Sequence, residues 1–349
     1  MGRAVVLGGT GVVGAAVVRR LLRGGWEVGV VGRDSGRLAG DVAALGGRFM
    51  GADRHDPVQL AGVCGGGVDL LVDCLCFTAE HARQLVPFAR ESTSTVMISS
   101  KAVYVDEDGR HVNSDVAPRF SRPIRETDAT VAPGDGEFRT RAGYGPNKVA
   151  AEQVLLDSGA PVTVLRASKV HGVDARRPRE WYFVKRVLDR RPVVLLAGRG
   201  LGADHPSAAV NLAALVETVA GRPGRRVLNS ADPDVPTGRE IAAGVAERLG
   251  HRWEEILLDE SADPALGRHP WDSRPPIVLD TTAATDLGYR PVGDHAATVA
   301  ETVDRLASAA VAGADGWELP SGYQALPTGS FDYPAEDAYL AAAEQHSGR

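Results

Sequence analysis

Three glycines near the amino end constrain the fold of this chain more than any other feature. Gly8, Gly11 and Gly14 stand between an apolar run at residues 3–7 and a stretch at residues 12–22 with apolar side chains at helical spacing. In a strand–turn–helix unit, the free N–H groups and partial positive charge of the helix N-terminus face the turn. Gly8 permits a sharp turn, Gly11 lets backbone amides approach a pyrophosphate, and Gly14 lets the helix pack closely on the sheet. The motif predicts a dinucleotide site, with a purely structural glycine turn as the alternative. We expect contacts from Gly8, Thr10, Gly11, Val12, Val13 and Gly14.

The rest of the chain predicts an α/β protein. Its first half alternates short apolar runs with helical patterns, which is typical of βαβ units and a parallel sheet. Further strands are predicted at residues 28–31, 70–77, 95–99 and 162–166, with a helix over 147–156. We therefore predict a Rossmann doubly wound parallel sheet with a smaller C-terminal α/β substrate-binding region. The expected domains are a dinucleotide-binding domain over 1–170 to which 209–235 returns, a substrate-binding region over 171–208 and 236–312, and an aromatic tail over 313–349.

Composition narrows the classes of function. The chain has 349 residues and a net charge of −6, which argues against general attraction to nucleic acid or an anionic membrane. No apolar run approaches the roughly 20 residues that cross a bilayer, and no signal peptide is recognisable. Cys64, Cys74 and Cys76 lack CxxC spacing, so they predict packing thiols and neither a disulfide framework nor a metal site. We expect no nucleic-acid or membrane partner and a cytoplasmic location.

The end of the second predicted strand favours NADP(H) over NAD(H). An acidic residue there would bind the ribose of NAD, whereas an arginine accommodates the 2′-phosphate of NADP. Gly32 offers no carboxylate, while Arg33 can stack on adenine and pair with phosphate, with Arg37 in support. Asp34 comes one position late and fits a helix cap. Asp53 follows the third predicted strand and could accept a hydrogen bond from the adenine amino group or act as a cap.

A tyrosine and a lysine are placed for proton transfer. Tyr144 and Lys148 are four residues apart at the start of a predicted helix, so they share one face. A nearby ammonium stabilises phenolate, which helps a tyrosine exchange a proton with an alcohol or ketone oxygen. Ser99 and Ser100 close a predicted strand, and ligands of open α/β sheets bind beyond the carboxyl ends of strands. Ser100 is therefore expected to hold the substrate oxygen, although a serine satisfying local backbone groups is the alternative.

The glycine turn, the Ser-Ser-Lys-Ala-Val-Tyr run at 99–104 and the Tyr-Gly-Pro-Asn-Lys run at 144–148 resemble the extended short-chain dehydrogenase/reductases, also called NAD-dependent epimerase/dehydratases. The resemblance covers about residues 3–308. It implies a catalytic serine at Ser100, a general acid/base at Tyr144 and a ribose-binding lysine at Lys148. Residues 71–78 depart from the family's usual His-Leu-Ala-Ala run and look more like an atypical branch that includes chloroplast stem-loop RNA-binding proteins. Further cofactor contacts are expected from Arg54, Leu75, Cys76, Ser99, Ala167 and Val170.

In this family the C-terminal half builds the substrate lid, so polar and aromatic residues of that half are candidates for substrate contact. A structural role is an equal alternative for each, and a metal site is not expected from His205 and His269. Arg268 could bind a phosphate or carboxylate, and Trp271 could stack on a ring. The expected substrate contacts are Ser100, Lys101, His171, Trp181, His205, Arg268 and Trp271.

These patterns predict an NAD(P)-dependent oxidoreductase that transfers hydride at a secondary alcohol or ketone of a polar, sugar-like or natural-product small molecule. The first alternative is an epimerase or dehydratase of a nucleotide sugar that retains its cofactor through the cycle. The second alternative, from another class, is a non-catalytic protein that kept the cofactor fold and binds RNA or another partner. A homodimer is left open.

Overall fold

A computed structural model describes residues 2–347. The first half contains β1 (Arg3–Leu7), α1 (Val12–Arg23), β2 (Glu27–Gly32), α2 (Gly40–Ala44), β3 (Arg48–Gly51), α3 (Pro57–Cys64), β4 (Leu70–Asp73), α4 (Ala79–Glu91), β5 (Ser94–Ser100), α5 (Arg141–Asp157) and β6 (Val162–Ala167). The second half contains β7 (Lys169–His171), α6 (Trp181–Leu188), β8 (Val193–Leu196), β9 (Pro206–Ala208), α7 (Ala209–Ala220), β10 (Arg226–Ser230), α8 (Gly238–Arg248), β11 (Glu254–Leu257), α9 (Thr282–Asp286), α10 (His295–Ala309), β12 (Val311–Gly313), β13 (Gly316–Glu318) and α11 (Tyr333–Ser347). Short 3₁₀ turns cover Ser35–Arg37, Lys101–Val103 and Ala197–Gly200.

Seven parallel strands form the central sheet, in the order β10-β6-β5-β4-β1-β2-β3. Chain order reverses between β1 and β4, and ligands of doubly wound sheets bind at such a switch point. Alternate residues of each strand face opposite layers, so Val6 packs with α1 and α7 while Val5 and Leu7 pack with α3, α4 and α5. Burial of both faces is what an all-parallel sheet requires. The predicted Rossmann fold class is confirmed.

Two predicted element boundaries are wrong, and local hydrogen bonds explain both. The helix expected to begin at residue 147 begins at Arg141, because the Thr140 hydroxyl caps it by accepting from the Gly143 N–H. Pro146 lies inside this helix rather than before it. The strand expected to run to residue 77 ends at Asp73, whose carboxylate accepts from the Leu75 N–H and turns the chain.

A smaller region lies after β6 and has its own apolar cluster, built largely from α6, α8 and α10. Within it β8 pairs with β11, and β7 pairs with β9. The stretch from Ala209 to Ser230 instead supplies α7 and β10 to the layers of the central sheet. The domain division remains a prediction, and its residues 1, 348 and 349 lie outside the described residues.

The aromatic tail after β12 docks on α6. The Tyr333 hydroxyl donates to Asp189 at 2.7 Å, and the buried Arg186 guanidinium pairs with Glu336 at 2.5 Å. Across residues 2–347, no helix is both long and apolar enough to cross a membrane. Within the same range, no three side chains of the metal-binding types lie close enough to hold an ion.

Candidate active site

A cleft of about 1340 Å³ opens at the carboxyl ends of β1, β2 and β4. We call it the glycine-turn cleft. It brings together residues that the sequence placed in five separate segments, from the amino end to α5. The predicted residues in its lining are Gly8, Thr10, Gly11, Arg33, Arg37, Asp53, Arg54, Leu75 and Tyr144.

The glycine turn itself is a close-packed cradle. Gly8 has a φ of +78°, which favours glycine. A Cβ at Gly14 would lie 2.3 Å from the Gly8 carbonyl oxygen, so α1 can approach the turn only because that atom is missing. Gly11, at the N-cap of α1, has no side chain to cap the helix. The first N–H groups of α1 are therefore left to a ligand or water.

The end of the cleft near β2 is basic and exposed. Arg33 and Arg37 are both exposed in its wall. Asp34 accepts from the Gly36 N–H at 2.9 Å and caps the following 3₁₀ turn, as its late position suggested. Asp53 lines the cleft and accepts from the His55 N–H in a local turn, so the geometry is compatible with both roles considered for it.

Arg54 is buried behind this end of the cleft. Its guanidinium pairs with Asp73 at 2.6 Å, and the two side chains are 5% and 0% exposed. Among the described residues, its Nε and Nη1 have no hydrogen-bond partner. A buried guanidinium with unsatisfied donors in a cleft wall suits a polar or anionic ligand.

One face of α5 carries Tyr144, Lys148 and Glu152, each four residues from the next. Tyr144 is half-buried in the cleft wall, whereas Lys148 is 2% exposed. The Lys148 ammonium donates to the carbonyls of Cys76 and Ile98 at 2.8 and 2.9 Å. These carbonyls lie beyond β4 and within β5, so the helix face is fixed against the strand ends that border the cleft.

Glu152 anchors the same helix more deeply. It pairs with Arg166 of β6 at 2.6 Å and accepts a hydrogen bond from Ser99 of β5. Ser99 is therefore turned toward α5 and does not line the cleft, which corrects its assignment as a cofactor contact. The next residue, Ser100, is half-buried and accepts from the Ala102 N–H at 3.2 Å, so the local-backbone alternative describes its present contact.

Aromatic side chains that the sequence reasoning missed line the cleft beside Tyr144. Phe77 stacks on Phe138 with 5.3 Å between ring centroids, and its ring centroid is 6.4 Å from that of Tyr144. The Lys148 ammonium lies 4.3 Å from the Phe77 centroid. Phe77 follows the carboxyl end of β4, a position that could have drawn attention, whereas Phe138 lies in the long loop before α5 and carries no local signal. Other missed residues in the lining are Asp34, His55, His81, Arg139, Arg177 and Gln324.

Several side chains expected at the cofactor pack elsewhere. Val13 and Ala167 belong to the apolar core beside α7, and Val12 and Val170 pack against that core. Gly14 is buried under the turn. Cys76 is fully buried, and burial raises the pKa of its thiol to about 12. The assignments of Cys76, Ala167 and Val170 as contacts are corrected, because the faces that carry their side chains point into the protein. The expectation for Val12, Val13 and Gly14 rests on their backbone N–H groups at the start of α1, so it stays a prediction. The predicted packing role of the cysteines is confirmed, since all three are free thiols at buried or half-buried positions.

A second cavity of about 980 Å³ lies between the loop that follows β5 and the segment around residues 268–277. We call it the Lys169 cavity, and of the expected substrate contacts it contains Arg268. Lys101 reaches its wall through an ion pair with Asp204. Sequence reasoning missed Asp204 and the charged residues that surround this pair in the lining, namely Lys169, Asp272, Arg274, Arg119 and Arg141. His269, which the sequence placed on the substrate side, lies in the same lining.

Four expected substrate contacts are structural instead. Trp181 and Trp271 are 6% and 1% exposed and form part of the apolar core with α8 and α10. His171 bonds the buried Asp232 carboxylate at 2.8 Å, and His205 bonds the carbonyl of the same residue at 2.8 Å. Because burial and hydrogen bonding hold these side chains inside the smaller region, the expectation that they face a substrate is corrected.

The fold and the glycine-turn cleft define this chain as a Rossmann-type α/β protein with a smaller region added after β6. It belongs to the NAD-dependent epimerase/dehydratase family, whose sequence profile matches residues 4–202. No curated protein is recognisably similar to the whole sequence.

Solved structures share the fold at low sequence identity. The UDP-glucose 4-epimerase of Thermus thermophilus, in complex with NAD, is 18% identical with a TM-score of 0.62, covering 87% of this chain and 98% of that one. A dTDP-glucose 4,6-dehydratase of Bacillus anthracis with NAD is 14% identical with a TM-score of 0.66, covering 88% and 97%. A dTDP-glucose 4,6-dehydratase of Streptomyces venezuelae with NAD bound is 21% identical with a TM-score of 0.64, covering 88% and 97%.

Proposed function

We propose that this protein binds a nicotinamide dinucleotide in the glycine-turn cleft and transfers hydride at a secondary alcohol or ketone of a polar small molecule. One observation carries the proposal. A single cleft contains the bared backbone of the glycine turn, the exposed Arg33 and Arg37, and the half-buried phenol of Tyr144. Phosphate binding, recognition of the adenosine half and proton exchange therefore have their chemical groups along one continuous surface.

The residues present suit a dinucleotide, and NADP(H) is favoured. The cradle suits a diphosphate because the missing Cβ of Gly14 lets α1 pack directly against the turn, and because the first N–H groups of α1 are uncapped. Gly32 offers no carboxylate to a ribose, and Asp34 is engaged as a cap. Arg33 is exposed, and Gly32 beside it has no carboxylate that would repel a phosphate. This pair of residues suits the 2′-phosphate of NADP. NAD(H) is the alternative, and the similar structures named above contain NAD.

A bound nicotinamide would supply the hydride chemistry. Tyr144 would exchange the proton of the substrate hydroxyl, and Ser100 would hold the same oxygen. Lys148 would stabilise the phenolate and bind a ribose hydroxyl, because its two carbonyl partners leave one of three ammonium donors free. Glu152 would act as a positioning residue that fixes the helix face carrying both groups.

An epimerase that retains its cofactor is the second candidate, since similar folds occur in nucleotide-sugar epimerases and dehydratases. Dehydration needs a carboxylic acid beside the serine. Here Lys101 follows Ser100 and its ammonium is paired with Asp204, so dehydration is the less favoured of the two retained-cofactor reactions. We propose that residues 171–208 and 236–312 form the substrate side in either case.

Calorimetry with NADP(H) and NAD(H) tests the cofactor proposal. Wild-type protein should bind both, with NADP(H) tighter, and Arg33→Ala should weaken NADP(H) by about tenfold while NAD(H) changes little. Arg48→Ala is the matched control, because Arg48 is exposed at the amino end of β3, away from the cleft. No binding of either dinucleotide would refute the proposal, and equal losses for both would refute the NADP(H) preference.

Substitution of Tyr144 tests the proton-transfer role. On a carbonyl or sugar-nucleotide substrate identified from a broad panel, Tyr144→Phe should lose at least a hundredfold in kcat, the lower range of general acid–base contributions. Its dinucleotide affinity should remain within threefold of wild type by calorimetry. Tyr339→Phe, which removes the hydroxyl of a half-buried tyrosine in α11, is the control. Full activity of Tyr144→Phe would contradict the assignment, and a wild type inert on the whole panel would favour the binding-protein alternative.

A further inference from the structure

Two lysines share one carboxylate in the wall of the Lys169 cavity. Lys101 and Lys169 both pair with Asp204, and the three side chains are 8%, 16% and 8% exposed. Lys101 directly follows Ser100 at the carboxyl end of β5, and Lys169 begins β7. One lysine of the ion-pair cluster is therefore the residue that follows the proposed catalytic serine in the chain.

The cluster sets two lysines against one carboxylate. Burial lowers the pKa of Lys101 well below its usual range, and the charges of Lys169 and Arg179 lower it further. Burial and Arg179 also lower the pKa of Lys169 to about 7, against the opposing effect of Asp272. Burying an uncompensated charge is costly, so such a cluster either gives up a proton or gains an anion.

The nearby carboxylate Asp272 is already engaged elsewhere. Its oxygens lie 2.7 Å from the Arg274 guanidinium and 3.9 Å from that of Arg268. Arg274 in turn pairs with Glu260 at 2.6 Å. Asp272 and Glu260 are therefore already paired with an arginine, which leaves Asp204 as the partner of the two lysines.

A buried histidine next to the cluster also lacks a partner. His269 is 6% exposed and lines the same cavity. Within the described part of the chain, neither of its ring nitrogens has a hydrogen bond. Buried polar side chains are normally satisfied, so an unpartnered imidazole in a cavity wall is a second, independent indication of a ligand. Arg119 and Arg141 add exposed positive charge to the lining.

We propose that Lys101, Lys169 and His269 form a subsite for an oxyanion group of the substrate, a carboxylate or a phosphate, next to Ser100. The bound oxyanion would give the two ammonium groups a second anion beside Asp204, and His269 would donate a hydrogen bond to it. The proposed function thereby gains a substrate class: an alcohol or ketone that bears an acidic group. This inference rests on the proposed function only in calling the ligand a substrate.

Substitutions of Asp204 and Lys169 should change the oxyanion affinity in opposite directions. Asp204 competes with the oxyanion for both lysines, so Asp204→Asn should strengthen oxyanion binding. Lys169→Met removes a charged donor and should weaken it by at least tenfold, the usual size of one charge-assisted hydrogen bond. A structural role for the cluster would instead make both variants weaker. Lys185→Met is the matched control, because Lys185 is also buried beside an aspartate, Asp189, but under the tail.

The probes are inorganic phosphate and malonate, titrated by calorimetry into the full chain at constant ionic strength. We expect saturable binding to wild type and Lys185→Met, at least tenfold loss in Lys169→Met and a gain in Asp204→Asn. The tighter of the two probes identifies the phosphate or carboxylate class. Equal affinity in wild type and Lys169→Met, a loss in Asp204→Asn, or no saturable binding to wild type would overturn the proposal. If Lys169→Met does not fold, the sign of the Asp204→Asn change decides.

A parallel titration with NADP(H) separates this proposal from the proposed function. A wild-type protein that binds the dinucleotide but neither phosphate nor malonate would refute the subsite alone. Oxyanion binding without dinucleotide binding would refute the proposed function and leave the subsite in place.

Discussion

Gly14 lies where α1 crosses the backbone of the glycine turn. The gap between its Cα and the Gly8 carbonyl is too small for a methyl group, since an added Cβ would lie 2.3 Å from that oxygen. Gly9 is similarly confined, with an added Cβ 2.7 Å from the Val30 side chain. At this scale the motif is a packing requirement first, and the phosphate cradle is its consequence.

Replacing Gly14 by alanine should therefore harm both the fold and the cleft. The backbone oxygen cannot swing away as a side chain would, so α1 must shift, and the free energy of unfolding should fall by about 1–3 kcal/mol. Urea unfolding measures this loss, and calorimetry should show weakened dinucleotide binding in the same variant.

Gly244→Ala is the matched control for that substitution. Gly244 lies inside α8, is exposed, and has open space where a Cβ would be added. Alanine there should stabilise the protein by about 0.5–1 kcal/mol, because it reduces the freedom of the unfolded chain. Equal unfolding free energies for the two variants would contradict the packing argument.

At the scale of elements, α5 connects the candidate chemistry to the sheet. Tyr144, Lys148 and Glu152 occupy successive turns of one face, and the last two fix that face to β5, β6 and the end of β4. Glu152 and Arg166 are 3% and 7% exposed, so their pair is shielded from water. Such a pair specifies the position of the helix more than it adds stability.

Removing one partner of this pair should be costly. Glu152→Ala leaves Arg166 buried without its carboxylate, and the free energy of unfolding should fall by about 3–5 kcal/mol in urea titrations. Asp304→Ala breaks a half-exposed pair with Arg248 and should change stability little. A small effect of Glu152→Ala would show that water reaches Arg166 and that the pair does not anchor α5.

The sequence predicted those elements whose structure is set by residues close together in the chain. The apolar run and glycine turn gave β1 and α1, and the Tyr–Lys spacing gave a shared face of α5. The predicted substrate contacts were wrong because those side chains pack against residues that are distant in sequence. The residues near His171 in sequence do not indicate that it will bond Asp232, and those near Trp271 do not indicate that it will pack against α6. The Lys101–Asp204 pair was equally invisible, since it joins the two halves of the chain.

Across the whole molecule, the tail joins the smaller region to the glycine-turn cleft. Its Phe331 stacks on Tyr182 of α6 with 6.0 Å between ring centroids, and its Glu336 pairs with Arg186 of the same helix. Further along, the Gln324 N–H donates to the Arg176 carbonyl at 2.6 Å, and Gln324 lines the cleft. The tail therefore contacts both the core of the smaller region and the cleft wall.

Buried histidines distributed over both regions should make the whole fold sensitive to mild acid. Burial is the main cause that lowers the pKa of His81, His205, His269 and His295 to about 4, from an ordinary value of 6.5. Between these values the unfolded chain binds protons that the folded protein does not, so the free energy of unfolding must fall as pH drops from 6.5 toward 4. The carboxylates with lowered pKa values, such as Asp232, act in the same direction only at still lower pH.

Urea unfolding at pH 7.0, 6.0, 5.0 and 4.5 measures this loss. The first pH is the reference above the window set by these pKa values, and the other three lie inside it. The free energy of unfolding should fall more steeply with pH below pH 6.5. His295→Gln should make this fall shallower, because glutamine does not bind a proton in either the folded or the unfolded chain. His295 is the suitable choice, since it lies outside both proposed ligand cavities and contacts His171 through its ring. A free energy of unfolding that stays constant from pH 6.5 to 4.5 would show that these imidazoles take up protons in the folded protein and that water reaches them.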